Sequence, residues 1–254
     1  FTSLKRVLIG GSAAPRAMMR EFQEKYGVEG LQGWGMTEMS PIGTVSMIRP
    51  KDADLPLDRQ FDIKAKQGRA VFGVEMKIVN DDGQALPRDG KSFGELLVRG
   101  PAIISGYYEN PEASAKAFDS EGWFRTGDVS KIDPEGYMEI VDRTKDVIKS
   151  GGEWISSIDL ENEAVGHPEI AEAAVIAVHH PKWDERPLLV VVREPDSQLD
   201  KQGVIDYLSQ RVAKWWLPDD VVFVDELPHG ATGKLQKAKL REQFKDYSLP
   251  EVGG

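Results

Sequence analysis

The chain contains 254 residues, of which 40% are hydrophobic and 29% are charged, and its formal net charge is −10. This length and composition are typical of a soluble globular protein with one large domain or two smaller ones. The acidic balance argues against nucleic-acid binding, which needs a basic surface. The absence of cysteine excludes disulfides, thiolate metal sites and a cysteine nucleophile. No apolar run reaches the ~18 residues of a membrane span and no signal peptide is visible, so we expect a cytoplasmic protein without a transmembrane segment.

Residues 1–44 read as strand, turn, helix and strand. Short apolar strands are expected at 7–9 and 28–32. Between them, apolar residues recur at every fourth position and therefore share one helix face: Met18, Phe22 and Tyr26. This order predicts the end of a large α/β domain that contains a parallel sheet.

Residues 45–142 change character, because short apolar strands alternate there with turns rich in Gly, Pro and Asp. The expected strands are 75–80, 94–99 and 137–142. The expected turns are Asp81-Asp82-Gly83 and Asp133-Pro134-Glu135-Gly136. This pattern predicts an antiparallel, barrel-like subdomain of the large domain.

Residues 143–247 mix helices and strands, which predicts a small C-terminal α+β domain followed by a flexible tail at 248–254. Expected strands are 147–149, 173–178, 188–192 and 221–224. Expected helices are 156–166, 201–211 and 237–244. The first of these helices opens with Ser156 three residues before Asp159, which is the spacing of a capping box.

Two segments carry groups that suit a nucleotide. The run Gly33-Trp34-Gly35-Met36-Thr37-Glu38 follows an expected parallel strand, at the sheet edge where such folds bind ligands. It offers an aromatic face, a hydroxyl and a carboxylate, which are groups that can stack on a base, donate to phosphate and hold Mg²⁺. Asp128 and Arg143 could accept from and donate to ribose hydroxyls. Each segment alone also fits a core tryptophan, a solvated glutamate and a surface ion pair.

Lys234 ends the run Thr232-Gly233-Lys234, and a lysine in a glycine-rich loop is a mobile cation that can reach a developing phosphate charge. Taken alone, such a lysine is also common on surfaces.

In their order along the chain, these segments resemble the adenylate-forming superfamily, which includes acyl-CoA synthetases, luciferases and peptide-synthetase adenylation domains. The residues that carry the resemblance are Gly94 to Gly100, Gly106-Tyr107-Tyr108, Gly122 to Asp128, Gly136-Tyr137, Asp142 to Glu153, Pro228 and Thr232-Gly233-Lys234. The resemblance spans essentially the whole chain.

The resemblance implies an ATP-dependent ligase that adenylates a small-molecule carboxylic acid and then transfers the acyl group to coenzyme A. The implied catalytic residues are Lys234, bridging carboxylate and phosphate, Thr37, on the α-phosphate, and Glu38, holding Mg²⁺. The implied nucleotide-binding residues are Gly11, Ser12, Gly33, Gly35, Trp34 stacking on adenine, and Asp128 with Arg143 on the ribose. A homodimer is compatible with this resemblance.

The same resemblance places a hinge at Lys145, about which the small domain would rotate to present Ser150, Gly151 and Gly152 to the pantetheine arm of coenzyme A. Glycines permit the close backbone approach that a narrow tunnel requires. The alternative interpretation is that these glycines only form a turn.

Gly35 aligns with a position where enzymes for short acids carry a bulky aromatic residue, so a medium or long aliphatic acid is expected. Residues 151–157 also look like those of fatty acyl-CoA ligases. Aryl acids and short sulfur-containing acids remain alternatives. The Ser/Thr/Gly-rich phosphate loop of the family has no counterpart here, which predicts a fragment that is inactive in isolation.

Two other functions remain open at this stage. One is an adenylation domain that loads an amino or aryl acid onto a carrier protein, although no carrier attachment motif follows Lys234. The other is a non-catalytic nucleotide-binding module. The presence of Glu38, Asp128, Arg143 and Lys234 favours catalysis over that module, because a binding relic has no need of the adenylation lysine.

Overall fold

The computed structural model describes residues 2–11, 14–230 and 235–250, so the predictions for Ser12 and Lys234 lie outside the described residues. The chain divides into two compact units, 1–141 and 142–254. The expected boundary after residue 44 falls inside a strand, and Asp142 belongs to the second unit rather than to the subdomain before it.

The first unit opens with a β-α-β arrangement, as predicted. Strand β1 (Arg6–Ile9), helix α1 (Arg16–Tyr26) and strand β2 (Glu29–Gly35) follow one another, and β1 pairs with β2 in parallel. Helix α1 buries Met19 against Phe61 and Ala14. Strand β2 continues beyond the predicted end at 32 to Gly35, so the first residues of the expected loop are strand residues.

Strand β2 also pairs with an antiparallel neighbour, which makes this sheet mixed. Its order is β1-β2-β3-β4, with β3 at Ile42–Val45 and β4 at Arg69–Ala70. Helix α2 (Leu57–Lys64) lies between β3 and β4 in the chain. Sequence patterns did not indicate β3, β4 or α2, since each is short and only Phe61 of α2 is a large apolar residue in the core.

The second sheet contains four strands in chain order: β5 (Glu75–Val79), β6 (Phe93–Arg99), β7 (Phe124–Ile132) and β8 (Met138–Arg143), of which β8 runs two residues past the end of the first unit at residue 141. Helix α3 (Pro111–Ala117), capped by Asn110, lies between β6 and β7 in the chain. The pairs β5–β6 and β6–β7 are antiparallel, which agrees with the predicted antiparallel sheet, although the strand β7 was not among the expected strands. The barrel-like prediction is wrong in one respect, because the described strands form an open sheet whose outer strands β5 and β8 do not pair with each other.

The second unit is a five-stranded sheet with helices on both faces. Its elements are β9 (Ile148–Ser150), β10 (Glu153–Ile155), α4 (Ser157–Val165), β11 (Ile170–His180), β12 (Asp184–Arg193), α5 (Lys201–Ser209), β13 (Asp220–Phe223) and α6 (Lys237–Gln243). The order is β10-β9-β12-β11, and β13 pairs with β12 in parallel.

Alternate residues of β11 and β12 point to opposite faces of this sheet. One face packs with Leu160 of α4 and Leu208 of α5, and the other packs with Leu240 of α6. Leu249 is partly buried against the second of these clusters, although a flexible tail is expected from Ser248. Ser156 caps α4 by accepting a hydrogen bond from the Asp159 amide at 3.1 Å.

None of the helices within the described ranges is long and apolar enough to cross a membrane.

Candidate nucleotide and thiol sites

The ends of β1 and β2 bring the predicted glycines to one edge of the first sheet. Ile9 lies opposite Gln32, so the residues that follow each of them are neighbours. A Cβ built on Gly10 would lie 3.4 Å from the Gly33 carbonyl oxygen. Gly11 is exposed, and a Cβ there would meet no atom within 4 Å. This edge is therefore open backbone that a ligand can approach.

Trp34 joins this edge to the second sheet of the same unit. Its indole Nε1 donates a hydrogen bond of 2.9 Å to Asp128 Oδ2, and the residue is only 8% exposed. A Cβ on Gly43 would lie 2.7 Å from the Trp34 ring, so one part of the ring is packed against backbone. The structure thus brings two predicted nucleotide residues together, and it also places Trp34 largely in the core.

Asp128 lies in an irregular part of β7. Glu95 pairs with Val129 whereas Leu97 pairs with Arg125, so the register shifts across the run that contains Asp128. Gly127 has φ 72°, a conformation that side chains disfavour. Such bulges re-aim side chains next to functional sites, and here the bulge accompanies an Asp128 that is 4% exposed and bonded to Trp34.

Thr126 stabilises the bulge. Its Oγ1 donates to the Leu96 carbonyl at 2.8 Å and accepts from the Asp128 amide at 3.1 Å. Thr126 belongs to the motif Gly122 to Asp128, but its role does not follow from the sequence. The signal was a threonine two residues before the predicted ribose carboxylate, with a glycine between them.

Glu38 and Thr37 lie in a short 3-10 turn, Thr37–Met39, in which Thr37 is exposed and Glu38 is half-buried. Tyr107 Oη donates to Glu38 Oε1 at 3.1 Å, and the Ile104 amide donates to the Glu38 carbonyl at 2.9 Å. Burial, together with the Glu38 carboxylate, raises the pKa of the Tyr107 phenol. Tyr107 is a partner of Glu38 that sequence reasoning did not identify.

The described residues contain no group of three His, Cys, Asp or Glu side chains that could hold a metal by themselves. Mg²⁺ in nucleotide enzymes usually takes one or two carboxylates and completes its shell with water and phosphate oxygens. Glu38 supplies a carboxylate of that kind. It lies on the same turn as Thr37, which is exposed and carries a hydroxyl that could contact phosphate.

Gly35 has a backbone reason to be glycine. A Cβ at this position would lie 1.9 Å from the Pro41 carbonyl oxygen, which is far inside van der Waals contact. Space for an acyl chain is therefore not needed to explain the residue, and the substrate argument drawn from Gly35 loses its support.

In the second unit, Gly151 and Gly152 form the two-residue turn between β9 and β10. Ser150 pairs with Glu153, and the glycines have φ 60° and 86°. Positive φ at both central residues is the requirement of the tight hairpin turn that matches strand twist. Both glycines therefore form a turn, and their contact with the pantetheine arm stays a prediction.

A cavity of about 480 Å³ lies beside this hairpin, lined by Ser150, Gly151, Glu153, Trp183, Arg186 and Trp215. Trp183 and Trp215 are 43% and 44% exposed, which is unusual for indoles. A Cβ on Gly151 would lie 2.8 Å from the Trp183 ring, so the glycine allows the indole to pack directly on the turn.

Arg186 is the polar centre of this cavity. Its guanidinium donates to Asp219 at 2.7 Å, to Ser150 Oγ at 3.2 Å and to the Trp215 and Leu217 carbonyls at 2.8 and 2.9 Å. Sequence reasoning missed this cavity. Its only sequence signal was tryptophan outside the expected strands and helices.

Arg143 ends β8, and Lys145 lies in the turn that follows; both are exposed. The Arg143 carbonyl accepts hydrogen bonds from the amides of Asp146 and Val147, which closes this turn. Asp128 belongs to the first unit and Arg143 to the second, so their shared contact with a ribose stays a prediction.

The chain belongs to the AMP-binding enzyme family. The family model described as AMP-binding enzyme matches residues 1–108, and the model described as AMP-binding enzyme C-terminal domain matches residues 159–234.

Within that family, the chain is similar to named ligases. It is 52% identical over 244 residues to 3-methylmercaptopropionyl-CoA ligase from Ruegeria lacuscaerulensis, which covers 96% of this chain and 45% of the relative. It is 50% identical over 247 residues to medium-chain-fatty-acid–CoA ligase from Ectopseudomonas oleovorans, with 97% and 45% covered. The chain thus spans about half the length of these relatives.

A solved structure agrees with the fold. ATP-bound MatB from Rhodopseudomonas palustris superposes with a TM-score of 0.78 at 34% identity, covering 94% of this chain and 45% of that one.

Proposed function

We propose that the full-length protein is an ATP-dependent acid–CoA ligase that forms an acyl-adenylate and then a thioester. The observation that carries the proposal is the hydrogen bond between Trp34 and Asp128. It joins two distant segments, both expected to touch the nucleotide, at the open edge where β1 and β2 end. Family membership and the resemblance to CoA ligases support the same conclusion.

In the first step, a carboxylate oxygen of the acid attacks the α-phosphorus of ATP. A new P–O bond forms as the bond to pyrophosphate breaks, and pyrophosphate leaves with its electron pair. Catalysis of such a displacement consists mainly of positioning and of charge stabilisation. Asp128 and Arg143 would hold the ribose, Trp34 would border the adenine, and Thr37 with Lys234 would contact the phosphate. Mg²⁺ near Glu38 would neutralise phosphate charge.

In the second step, the coenzyme A thiol gives its proton to solvent water, and its sulfur attacks the acyl carbonyl carbon. The C–S bond forms, the C–O bond to AMP breaks and AMP leaves. The cavity beside Gly151 supports this assignment, because a Cβ on the adjacent Gly152 would meet no atom within 4 Å, so a narrow thiol arm could pass close to the backbone there. The exposed faces of Trp183 and Trp215 offer stacking surfaces for an aromatic base.

The acid is proposed to be a medium-chain aliphatic acid, with a short sulfur-containing acid as the second candidate. The two similar ligases support these classes, since one is named for each.

The test is acid-dependent exchange between ATP and labelled pyrophosphate by the full-length protein. The acids would run from acetate to palmitate and include methylmercaptopropionate, benzoate and amino acids. Exchange that peaks with medium-chain or sulfur-containing acids, followed by thioester formation on adding coenzyme A, is the expected result. Exchange with amino acids alone would point to a carrier-loading enzyme, and no exchange with any acid would leave a nucleotide-binding module.

Lys234→Ala supplies the residue-level test in the same assay. The proposed role predicts loss of acid-dependent exchange, because no other cation has been assigned to bridge carboxylate and phosphate. Unchanged exchange in this variant would remove Lys234 from the proposed mechanism.

A further inference from the structure

Helix α6 begins directly after the segment that carries Lys234. On the two sides of that segment, His229 and Leu235 form an antiparallel bridge, and the Gln236 amide donates to the Pro228 carbonyl at 2.7 Å. The described residues that flank Lys234 are thus tied to each other. The next residue along is Lys237, where α6 starts.

Lys237 is held by two partners on α4. Its Nζ donates to Ser157 Oγ at 2.6 Å and lies 2.6 Å from Glu161 Oε1. The same Glu161 oxygen accepts from the Val175 amide of β11 at 2.7 Å. The Lys237 and Glu161 side chains are 11% and 15% exposed, so this contact is shielded from water.

Asp142 extends this network to the start of the unit. Its carboxylate accepts from the Ser157 amide at 2.6 Å and from the Arg143 amide at 2.7 Å, and the residue is fully buried. Burial raises the pKa of Asp142 and of Glu161, and the Lys237 charge opposes that shift at both carboxyls. Removing Lys237 would leave both carboxylates buried without their cation.

A second cation of α6 reaches the same segment from one turn further along. Arg241 forms an ion pair with Asp146, and residues four apart on a helix share one face. Arg241 therefore contacts the turn that contains Arg143 and Lys145, whereas Lys237 is linked to Asp142 at the start of this turn through Ser157 of α4. Lys239 lies on the same helix but is exposed.

We propose that α6 is a strut: Lys237 and Arg241 are positioning residues that fix the described residues on both sides of Lys234, 228–230 and 235–236, relative to the turn of residues 142–146. The inference rests on the proposed function, since it takes Lys234 and Arg143 as contacts of the reacting nucleotide. Neither cation needs to touch substrate. A displacement of about 1 Å in a catalytic group can cost roughly a hundredfold in rate, so the anchoring of α6 governs adenylation.

The test separates the two half-reactions of the full-length protein. Adenylation is measured as ATP–pyrophosphate exchange, and thioester formation is measured from a synthetic acyl-adenylate and coenzyme A. Arg241→Met is expected to lower the exchange kcat by about tenfold, with KM for ATP changed by less than about threefold, because the substrate contacts remain but their alignment is lost. Thioester formation is expected to stay within about threefold of the unmodified protein.

Three further variants make the test specific. Arg241→Lys keeps the charge and should recover most of the exchange. Lys237→Met combined with Glu161→Gln removes the cation together with its buried carboxylate charge, so the protein is expected to fold while exchange falls by about tenfold to a hundredfold. Lys239→Met is the matched control on the same helix and should change neither half-reaction.

Folding of each variant is verified by its melting temperature. If Arg241→Met and the double variant fold and keep full exchange while Lys234→Ala abolishes it, the strut is refuted and the proposed function stands. Equal losses in both half-reactions would also refute the strut, because they would indicate a general defect. Full exchange in Lys234→Ala would instead overturn the proposed function itself.

Discussion

At the scale of single residues, Gly35 has two possible explanations: the close approach of the Pro41 backbone, or space for an acyl chain of the substrate. Gly35→Ala places a Cβ 1.9 Å from the Pro41 oxygen, so the backbone must shift. We expect the free energy of unfolding of the chain to fall by about 1–3 kcal/mol or more, the usual cost of overpacking, as measured by urea denaturation.

Gly10→Ala is the matched control for this prediction, because a Cβ there meets only one oxygen at 3.4 Å. Equal stability of the two variants would mean that the approach of Pro41 to Gly35 is not rigid. Gly35 would then again be open to explanation by the acyl chain.

Trp183 provides a residue-scale test of the thiol site. Its indole packs on Gly151 and lines the cavity beside the hairpin. In the full-length protein, Trp183→Ala is expected to raise KM for coenzyme A by roughly tenfold, since one base–aromatic stack is worth about 1–3 kcal/mol. ATP–pyrophosphate exchange should not change, because it precedes thiol binding.

Trp183→Phe keeps an aromatic face and should lie between the unmodified protein and the alanine variant. An unchanged KM in Trp183→Ala, measured by steady-state thioester formation, would place coenzyme A elsewhere.

At the scale of elements, the bulge of β7 links stability to nucleotide binding. Thr126→Val keeps the side-chain shape but removes the hydroxyl that bonds both the Leu96 carbonyl and the Asp128 amide. A buried backbone group left without its partner costs about 1–3 kcal/mol. We therefore expect lower stability in urea and, because Asp128 loses its support, a higher KM for ATP.

Thr126→Ser retains the hydroxyl and should preserve both properties. If Thr126→Val lost stability while KM for ATP stayed constant, the bulge would be structural only.

Elements with strong local signals were predictable from the sequence. The parallel pair of β1 and β2, the strands β5, β6 and β8 of the second sheet and the capped start of α4 followed from apolar patterns, turn residues and the Ser156 spacing, whereas the strand β7 was not expected. Helix α2 and strand β3 were not predictable, because tertiary packing rather than periodicity holds such short segments. The extension of β2 to Gly35 depends on pairing with β3, which no local pattern of β2 reveals.

The candidate site divides in the same way. Residue types that a nucleotide needs could be named from the sequence, and Trp34 with Asp128 meet as a pair in the structure. The contacts that support the two candidate sites could not be named, because the bonds of Thr126 to the Leu96 carbonyl, of Tyr107 to Glu38 and of Arg186 to Asp219 join segments far apart in the chain. Spacing along the chain does not encode such contacts.

At the scale of the whole molecule, a hydrogen bond of Tyr247 makes the stability of the second unit depend on pH. Tyr247 donates a hydrogen bond to the Asp220 carboxylate, which also accepts from Lys201 at 2.7 Å. Burial and the Asp220 contact raise the pKa of Tyr247 from 10.0 to about 12. This contribution to stability is therefore complete below pH 10.0 and is lost as pH rises towards about 12.

Tyr247→Phe removes the titrating group, so its stability should decline less steeply than that of the unmodified chain across this alkaline range. The measurement is urea denaturation at a series of pH values. Tyr108→Phe is a suitable control because Tyr108 is 90% exposed. Parallel curves for the unmodified chain and Tyr247→Phe would contradict the prediction.

Both faces of the sheet in the second unit are covered, so odd- and even-numbered residues of β11 pack into two different cores. On β11, Ala173 and Val175 belong to the core under α4 and α5, whereas Ala174 and Ile176 belong to the core under α6. A single inserted residue in this strand would exchange the occupants of both cores at once, while two inserted residues would restore them. None of the residues 173–176 faces water, because each packs into one of the two cores. We therefore expect this strand to tolerate a change of apolar residue better than an insertion or deletion of one residue.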